Sequence, residues 1–240
     1  MILGGRVRVD GTTADKPGRM VREDCALETL EDAIPYVSRG GLKLERALDA
    51  FGVSPAGKTA ADIGSSTGGF TDCLLQRGAS RVYAVDVGYG QLDWKLQTDP
   101  RVTVVDRKNA RHLTLEDLGE PVDLAVIDVS FISLKLVIPP ALKLLKPGGE
   151  LIALLKPQFE VGKGEVEKKG IVKTPEKHLR VALALRDFME EVGWVLCGCV
   201  ASPIEGRKGN REFLLHGLPR ERGTSLDEEA IRAAVLGEEV

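Results

Sequence analysis

The chain has 240 residues, a formal net charge of −3, 43% hydrophobic residues and 29% charged residues. That length suits one α/β domain with a large core and a short appendage, and the composition is ordinary for a soluble globular chain. No apolar run approaches the roughly 20 residues that span a bilayer, and the start, MILGGRVRVDG, lacks a signal-peptide core. A cytoplasmic protein with no membrane partner is expected.

The net negative charge argues against binding nucleic acid over the whole surface, yet basic character is local. Residues 1–22 carry five basic side chains against two acids, and 220–240 carry three against six. The cysteines (Cys25, Cys73, Cys197, Cys199) and histidines (His112, His178, His216) show no metal-ligand spacing, so no metal site is expected. Cys197 and Cys199 lie two apart on a strand-like run and should share one face, a poor geometry for a disulfide.

In chain order, 1–22 reads as two short extended pieces, with alternation over RVRV (6–9) and turns at DG (10–11) and KPG (16–18). Arg6, Arg8, Lys16 and Arg19 there are candidate phosphate contacts. Residues 23–35 are acidic and helix-compatible, and read as a linker. Ser38 is placed to cap a helix in which Leu42, Leu44, Leu48 and Phe51 recur at helical spacing. Lys43 lies near its start, either at a pocket mouth or merely solvated.

From residue 58 an α/β pattern runs unbroken. Strand-like segments fall near 58–63, 81–86, 101–105, 122–128, 149–156, 194–201 and 211–217, with helices at 70–77, 132–145 and 176–192. The pattern predicts a mostly parallel sheet covered on both faces. The last two strands, joined by 202–210 without a helix, should pair antiparallel at one edge. Residues 36–218 form the main domain, and 219–240 read as a polar tail that frays or forms a short surface helix.

The pocket signal is AADIGSSTGGF at 60–70. An apolar strand ends in Asp62, a turn carries Gly64, Gly68 and Gly69, and a helix begins near Phe70. This order builds a nucleotide crevice at the carboxyl edge of a parallel sheet. Ser66 stands where a dinucleotide fingerprint has its middle glycine. The next strand ends in Asp86, whose carboxylate could accept both ribose hydroxyls of either NAD or S-adenosylmethionine; a helix cap or turn residue is the alternative. Two further apolar strands end in Asp128 and Lys156, which would face each other above the ligand, or form an ordinary strand-end ion pair.

Five motifs in order, SRGGLKL (38–44), DIGSSTGGF (62–70), DVSFISL (128–134), KPQFEVG (156–162) and GNREF (209–213), resemble the TlyA-type, hemolysin A-like ribosomal RNA methyltransferases. More distantly they resemble FtsJ-type RNA 2′-O-methyltransferases. The stretch GRVRVDG…DKPG resembles the β-part of an α-L RNA-binding motif, without the helices that would precede it. The resemblance implies a Rossmann-like S-adenosylmethionine-dependent fold and a Lys-Asp-Lys-Glu tetrad at Lys43, Asp128, Lys156 and Glu212. It also implies a ribose 2′-OH of ribosomal RNA, or ribosomal subunits, as substrate. The cofactor should lie on Asp62, Gly64, Ser66, Gly68, Gly69 and Phe70, with its ribose on Asp86 and its adenine near Asp106 and Asn109. Lys163, Lys168, Lys169, Lys173, Arg207, Lys208 and Arg211 could gather RNA phosphates around the crevice.

Competing readings are an oxidoreductase, disfavoured by Ser66 and the lysines, and a cofactor-binding assembly factor with vestigial catalysis, disfavoured by the complete tetrad. A pore-forming hemolysin would need an apolar segment that is not present. The residues say nothing of oligomeric state.

Overall fold

Seven strands form the central sheet of this computed structural model: β4 (Thr59–Ile63), β5 (Arg81–Val85), β6 (Val102–Val105), β7 (Val122–Ile127), β8 (Leu145–Leu155), β9 (Trp194–Ala201) and β10 (Phe213–Pro219). A small sheet at the start holds β1 (Val7–Val9), β2 (Thr12–Thr13) and β3 (Leu27–Thr29). The structure describes residues 2, 7–14, 16, 18–29, 34–162, 164–167, 170–206 and 209–237. Arg6, Lys163, Lys168, Lys169, Arg207 and Lys208 therefore lie outside the described residues.

The central order is β6-β5-β4-β7-β8-β10-β9, with β6 to β8 parallel. β5 and β6 lie on one side of β4, while β7 and β8 lie on the other. That reversal opens a crevice at the carboxyl ends of β4 and β7. The antiparallel strand is β10, inserted between β8 and β9, so the outermost strand β9 runs with the parallel set.

Alternation along the strands sends successive residues to two cores. Ala61 and Ile63, Tyr83 and Val85, and Ala125 and Ile127 meet α5 (Leu134–Leu142), α6 (Pro175–Glu191) and α7 (Glu228–Leu236). Ala60, Val82, Ala84, Leu124 and Val126 meet α1 (Gly40–Phe51), α2 (Gly69–Gln76) and α3 (Trp94–Gln97). A short α4 (Leu115–Leu118), closed by a capping box from Thr114 and Asp117, precedes β7.

Four expectations change. The 23–35 stretch is not a plain linker, because β3 pairs antiparallel with β1 across Val9 and Leu27. The hairpin at Asp10 and Gly11 does form, both residues taking positive φ. The tail forms the expected short helix but joins the core: α7, capped by Asp227, buries Ile231 and Val235 completely. Its exposed face is polar, and this masked its amphipathic character. Ser38 makes no side-chain cap to α1; its Oγ lies instead only 2.3 Å from where a Cβ on Gly69 would be, so α1 and α2 meet through glycine.

The fourth change concerns the cysteines. The β9–β10 ladder pairs Gly198 with His216 and Leu196 with Gly217, leaving Cys197 unmatched in a bulge. A bulge places consecutive residues on one face. Cys197 therefore lies beside His216 on the α1 side, while Cys199 enters the opposite core.

Candidate active site

The turn after β4 is fixed by what surrounds it. Gly64, Ser66 and Gly68 all have positive φ. A Cβ on Gly64 would lie 2.5 Å from the Asp128 carbonyl oxygen, so glycine lets the end of β4 pack on the end of β7. A Cβ on Gly68 would collide with Leu92 and Leu96, which close the crevice beside α3. Gly69 opens α2, and the Phe70 side chain points away from the crevice into the α1 core. Only the Phe70 backbone is left to face a ligand.

Asp62 is completely buried at the floor of this turn. Thr71 Oγ1 donates to its Oδ2 at 2.6 Å, while Oδ1 has no partner. Burial pushes its carboxyl up to about 7 against the opposing Thr71 hydrogen bond. An orphaned acceptor beneath a glycine turn is a group that a ligand donor or ordered water would complete.

Asp86, half-buried at the end of β5, ties the crevice together. Its Oδ2 accepts from Ser66 N at 2.8 Å and its Oδ1 from Gly88 N at 2.7 Å. Each carboxylate oxygen keeps further acceptor capacity, which suits a pair of ribose hydroxyls. Asp106 Oδ2 accepts from Gly90 N at 3.0 Å. Asn109 is exposed and caps the 3₁₀ turn Ala110–His112 by accepting from Arg111 N at 3.0 Å. Both rim residues are thus occupied in shaping loops.

The charged tetrad residues form two ion pairs. Lys156 follows β8 directly, and its Nζ lies 2.5 Å from Asp128 Oδ1 and donates to Ser130 Oγ at 2.9 Å. Lys43, on the first turn of α1, is paired with Glu212 Oε2. Only 11% of either lysine side chain is exposed, and 3% of Glu212. Phe213 pairs with Leu155, so one further step of the ladder sets Glu212 opposite Lys156. Antiparallel insertion of β10 is what brings a late residue back to the carboxyl edge of β8.

The loops are held by groups the sequence reading did not single out. Asn210 Oδ1 accepts from Val172 N, and Asn210 Nδ2 donates to Gly170 O, both at 3.0 Å. His178 Nε2 bonds Val172 O at 2.8 Å. Glu160 accepts from Ser133 Oγ at 2.6 Å and from Leu134 N at 2.7 Å. Ser130, Glu160 and Asn210 each sit inside a quoted motif, but a sequence does not reveal which motif residues contact another motif. Among the described residues, no group of His, Cys, Asp or Glu is arranged to hold a metal, and no helix is long and apolar enough to cross a membrane.

The rRNA methyltransferase YqxC of Bacillus subtilis, assigned provisionally by name, is 49% identical over 239 residues, spanning 98% of this chain and 85% of that one. The 16S/23S rRNA (cytidine-2′-O)-methyltransferase TlyA of Mycobacterium tuberculosis H37Rv is 48% identical over 216 residues, covering 90% and 81%. A solved structure of a candidate hemolysin from Streptococcus thermophilus superposes with a TM-score of 0.85 at 40% identity, covering 99% of this chain and 87% of that chain. With the FtsJ-like methyltransferase model also matching residues 36–217, the chain belongs to the FtsJ-like methyltransferase family and its cofactor is S-adenosylmethionine.

Proposed function

We propose that this chain is a ribosomal RNA 2′-O-methyltransferase in which Lys156 handles the ribose hydroxyl. The observation that carries this is the position of Lys156 Nζ. It is held by Asp128 and Ser130 at the carboxyl edge of β8, with β7 between it and the strand that leads into the Gly64 turn. The rRNA methyltransferase names of the relatives support the substrate class.

S-adenosylmethionine supplies an electrophilic methyl group on a sulfonium. Asp86, the Gly64–Gly69 backbone and the orphaned Asp62 oxygen fit it as ribose acceptor, close-approach surface and buried acceptor. A ribose hydroxyl is a poor nucleophile until its proton is removed or shared. Lys156 Nζ orients that hydroxyl and, as the neutral amine, takes its proton and passes it to solvent, while Asp128 and Ser130 fix the nitrogen in place. Glu212 balances Lys43, so an ammonium can sit at the site and hold the ribose or its phosphate. Aligning hydroxyl and methyl group removes much of the entropic barrier. Arg8 on β1 and Lys16 and Arg19 between β2 and β3, with Lys173 and Arg211 near the tetrad, would contact RNA phosphates, and the enzyme would meet its substrate in the cytoplasm.

The test is to incubate the protein with labelled S-adenosylmethionine and ribosomal subunits, then map the product. A 2′-O-methylated nucleotide resists alkaline cleavage because its 2′-oxygen cannot attack the adjacent phosphate. Lys156→Ala should lose at least about two decades of turnover, the usual contribution of a positioned acid–base group, while still binding cofactor and RNA. Lys156→Arg should fail as well, since a guanidinium stays protonated. A base-methylated product, or a fully active Lys156→Ala enzyme, would overturn the proposal.

A further inference from the structure

We infer that Glu160 is a positioning residue for methyl transfer: it locks the loop carrying Asp128 and Ser130 onto the loop carrying Lys156. This rests on the function proposed above and adds a residue to it. Glu160 lies four residues after Lys156, at the end of the 3₁₀ turn Pro157–Phe159. It reaches away from its own loop. Oε2 accepts from Ser133 Oγ and Oε1 from Leu134 N, so one carboxylate caps the start of α5 with both oxygens. Burial raises its carboxyl above the ordinary range, partly offset by the Ser133 and Leu134 bonds. A half-buried acid with both oxygens engaged across two loops is a costly arrangement for a mere surface turn.

The segment it pins is under strain. Phe131 has φ of +65°, an uncommon conformation for a bulky side chain, and is 87% exposed. Its solvent position therefore yields little burial to offset that backbone cost, and the conformation is imposed from outside the residue. The constraints are visible on both sides. Ser130 is bonded to Lys156 before it, Ser133 and Leu134 are bonded to Glu160 after it, and the Phe131 ring meets Phe159 at 5.2 Å. Without Glu160, the downstream anchor is lost and the 129–133 segment can relax. Ser130 then moves relative to Lys156 Nζ, although no group that binds S-adenosylmethionine has been altered.

The experiment compares wild type, Glu160→Gln, Glu160→Ala and Ser133→Ala with labelled S-adenosylmethionine and ribosomal subunits, and measures cofactor affinity separately by calorimetry. Glu160→Ala should lower kcat about tenfold or more, with cofactor affinity and KM for S-adenosylmethionine changed less than about twofold. Glu160→Gln retains one acceptor oxygen and should recover part of that loss. Ser133→Ala should lower kcat in the same direction by less. Wild-type kcat in a folded Glu160→Ala enzyme would overturn the inference, as would equal losses in kcat and cofactor affinity. Should Glu160→Ala fail to fold, Glu160→Gln and Ser133→Ala decide: unchanged kcat in both overturns it. An inactive wild type would instead strike the proposed function itself.

Discussion

Replacing Asp86 by alanine tests the cofactor crevice most directly, because this carboxylate has one task in the fold and a second, separable one in the proposed function. It accepts from Ser66 N and Gly88 N at 2.8 and 2.7 Å, and so joins the β4 turn to the loop after β5. Hydrogen bonds to a charged group contribute about 1.5–3 kcal/mol when well shielded. Asp86 is only half-buried, so water replaces part of each bond, and a loss nearer 1 kcal/mol apiece is expected. For a chain of this length about 2 kcal/mol lowers Tm by roughly 4–8 °C. The second task, on the proposed function, is to accept the cofactor's ribose hydroxyls, and its loss should cost a further 1.5–3 kcal/mol, or roughly 10- to 150-fold in Kd. Melting curves and calorimetry on the same preparation separate the two effects. Asp86→Asn should retain one backbone bond and fall between wild type and Asp86→Ala in both assays. A folded Asp86→Ala protein with unchanged S-adenosylmethionine affinity would remove Asp86 from the cofactor site, and tight NAD binding without S-adenosylmethionine binding would refute the crevice assignment altogether.

Other outcomes follow from the same geometry. Since β3 pairs with β1, removal of residues 1–29 is a cleaner cut than removal of 1–22. It should weaken RNA binding and flatten its salt dependence without touching cofactor affinity. An unchanged salt slope in filter binding would reduce the small sheet to a structural arm. His216, stacked on Phe51, bonds Glu150 at 3.0 Å and contacts Cys197 at 3.3 Å. Burial opposes its charge, but the hydrogen bonds with Cys197 and Glu150 prevail and push the imidazole up to about 9. A raised folded-state pKa contributes stability below the unfolded value of about 6.5 that is lost as pH rises through about 9. Thermal melts should therefore show wild type losing stability across that window more steeply than His216→Gln, and parallel slopes would refute the coupling.

Much of the architecture was legible along the chain. The strands from 58 to 128 are short apolar runs ending in charge or glycine, separated by helical periods, and such patterns are local consequences of burial on both faces of a parallel sheet. Asp62, Asp86, Asp128 and Lys156 could be picked out in the same way, because each lies at or beside the end of a strand, whereas Glu212 was reached only through the family resemblance. The sequence brought Asp128 and Lys156 face to face, as the structure has them, but could not tell that Lys43 pairs with Glu212. Lys43 and Glu212 lie 169 positions apart, and they meet because β10 inserts antiparallel beside β8 and returns Glu212 to the crevice edge near α1. The bulge that turns Cys197 away from Cys199 belongs to a ladder, which a single strand does not contain. Likewise Glu160 is one acid among many until the folded loops place both its oxygens on Ser133 and Leu134. Local patterning is set by each segment's own contact with water, and therefore appears in the amino-acid order. Long-range pairing depends on strand order and register, which the residues settle only collectively when the sheet closes.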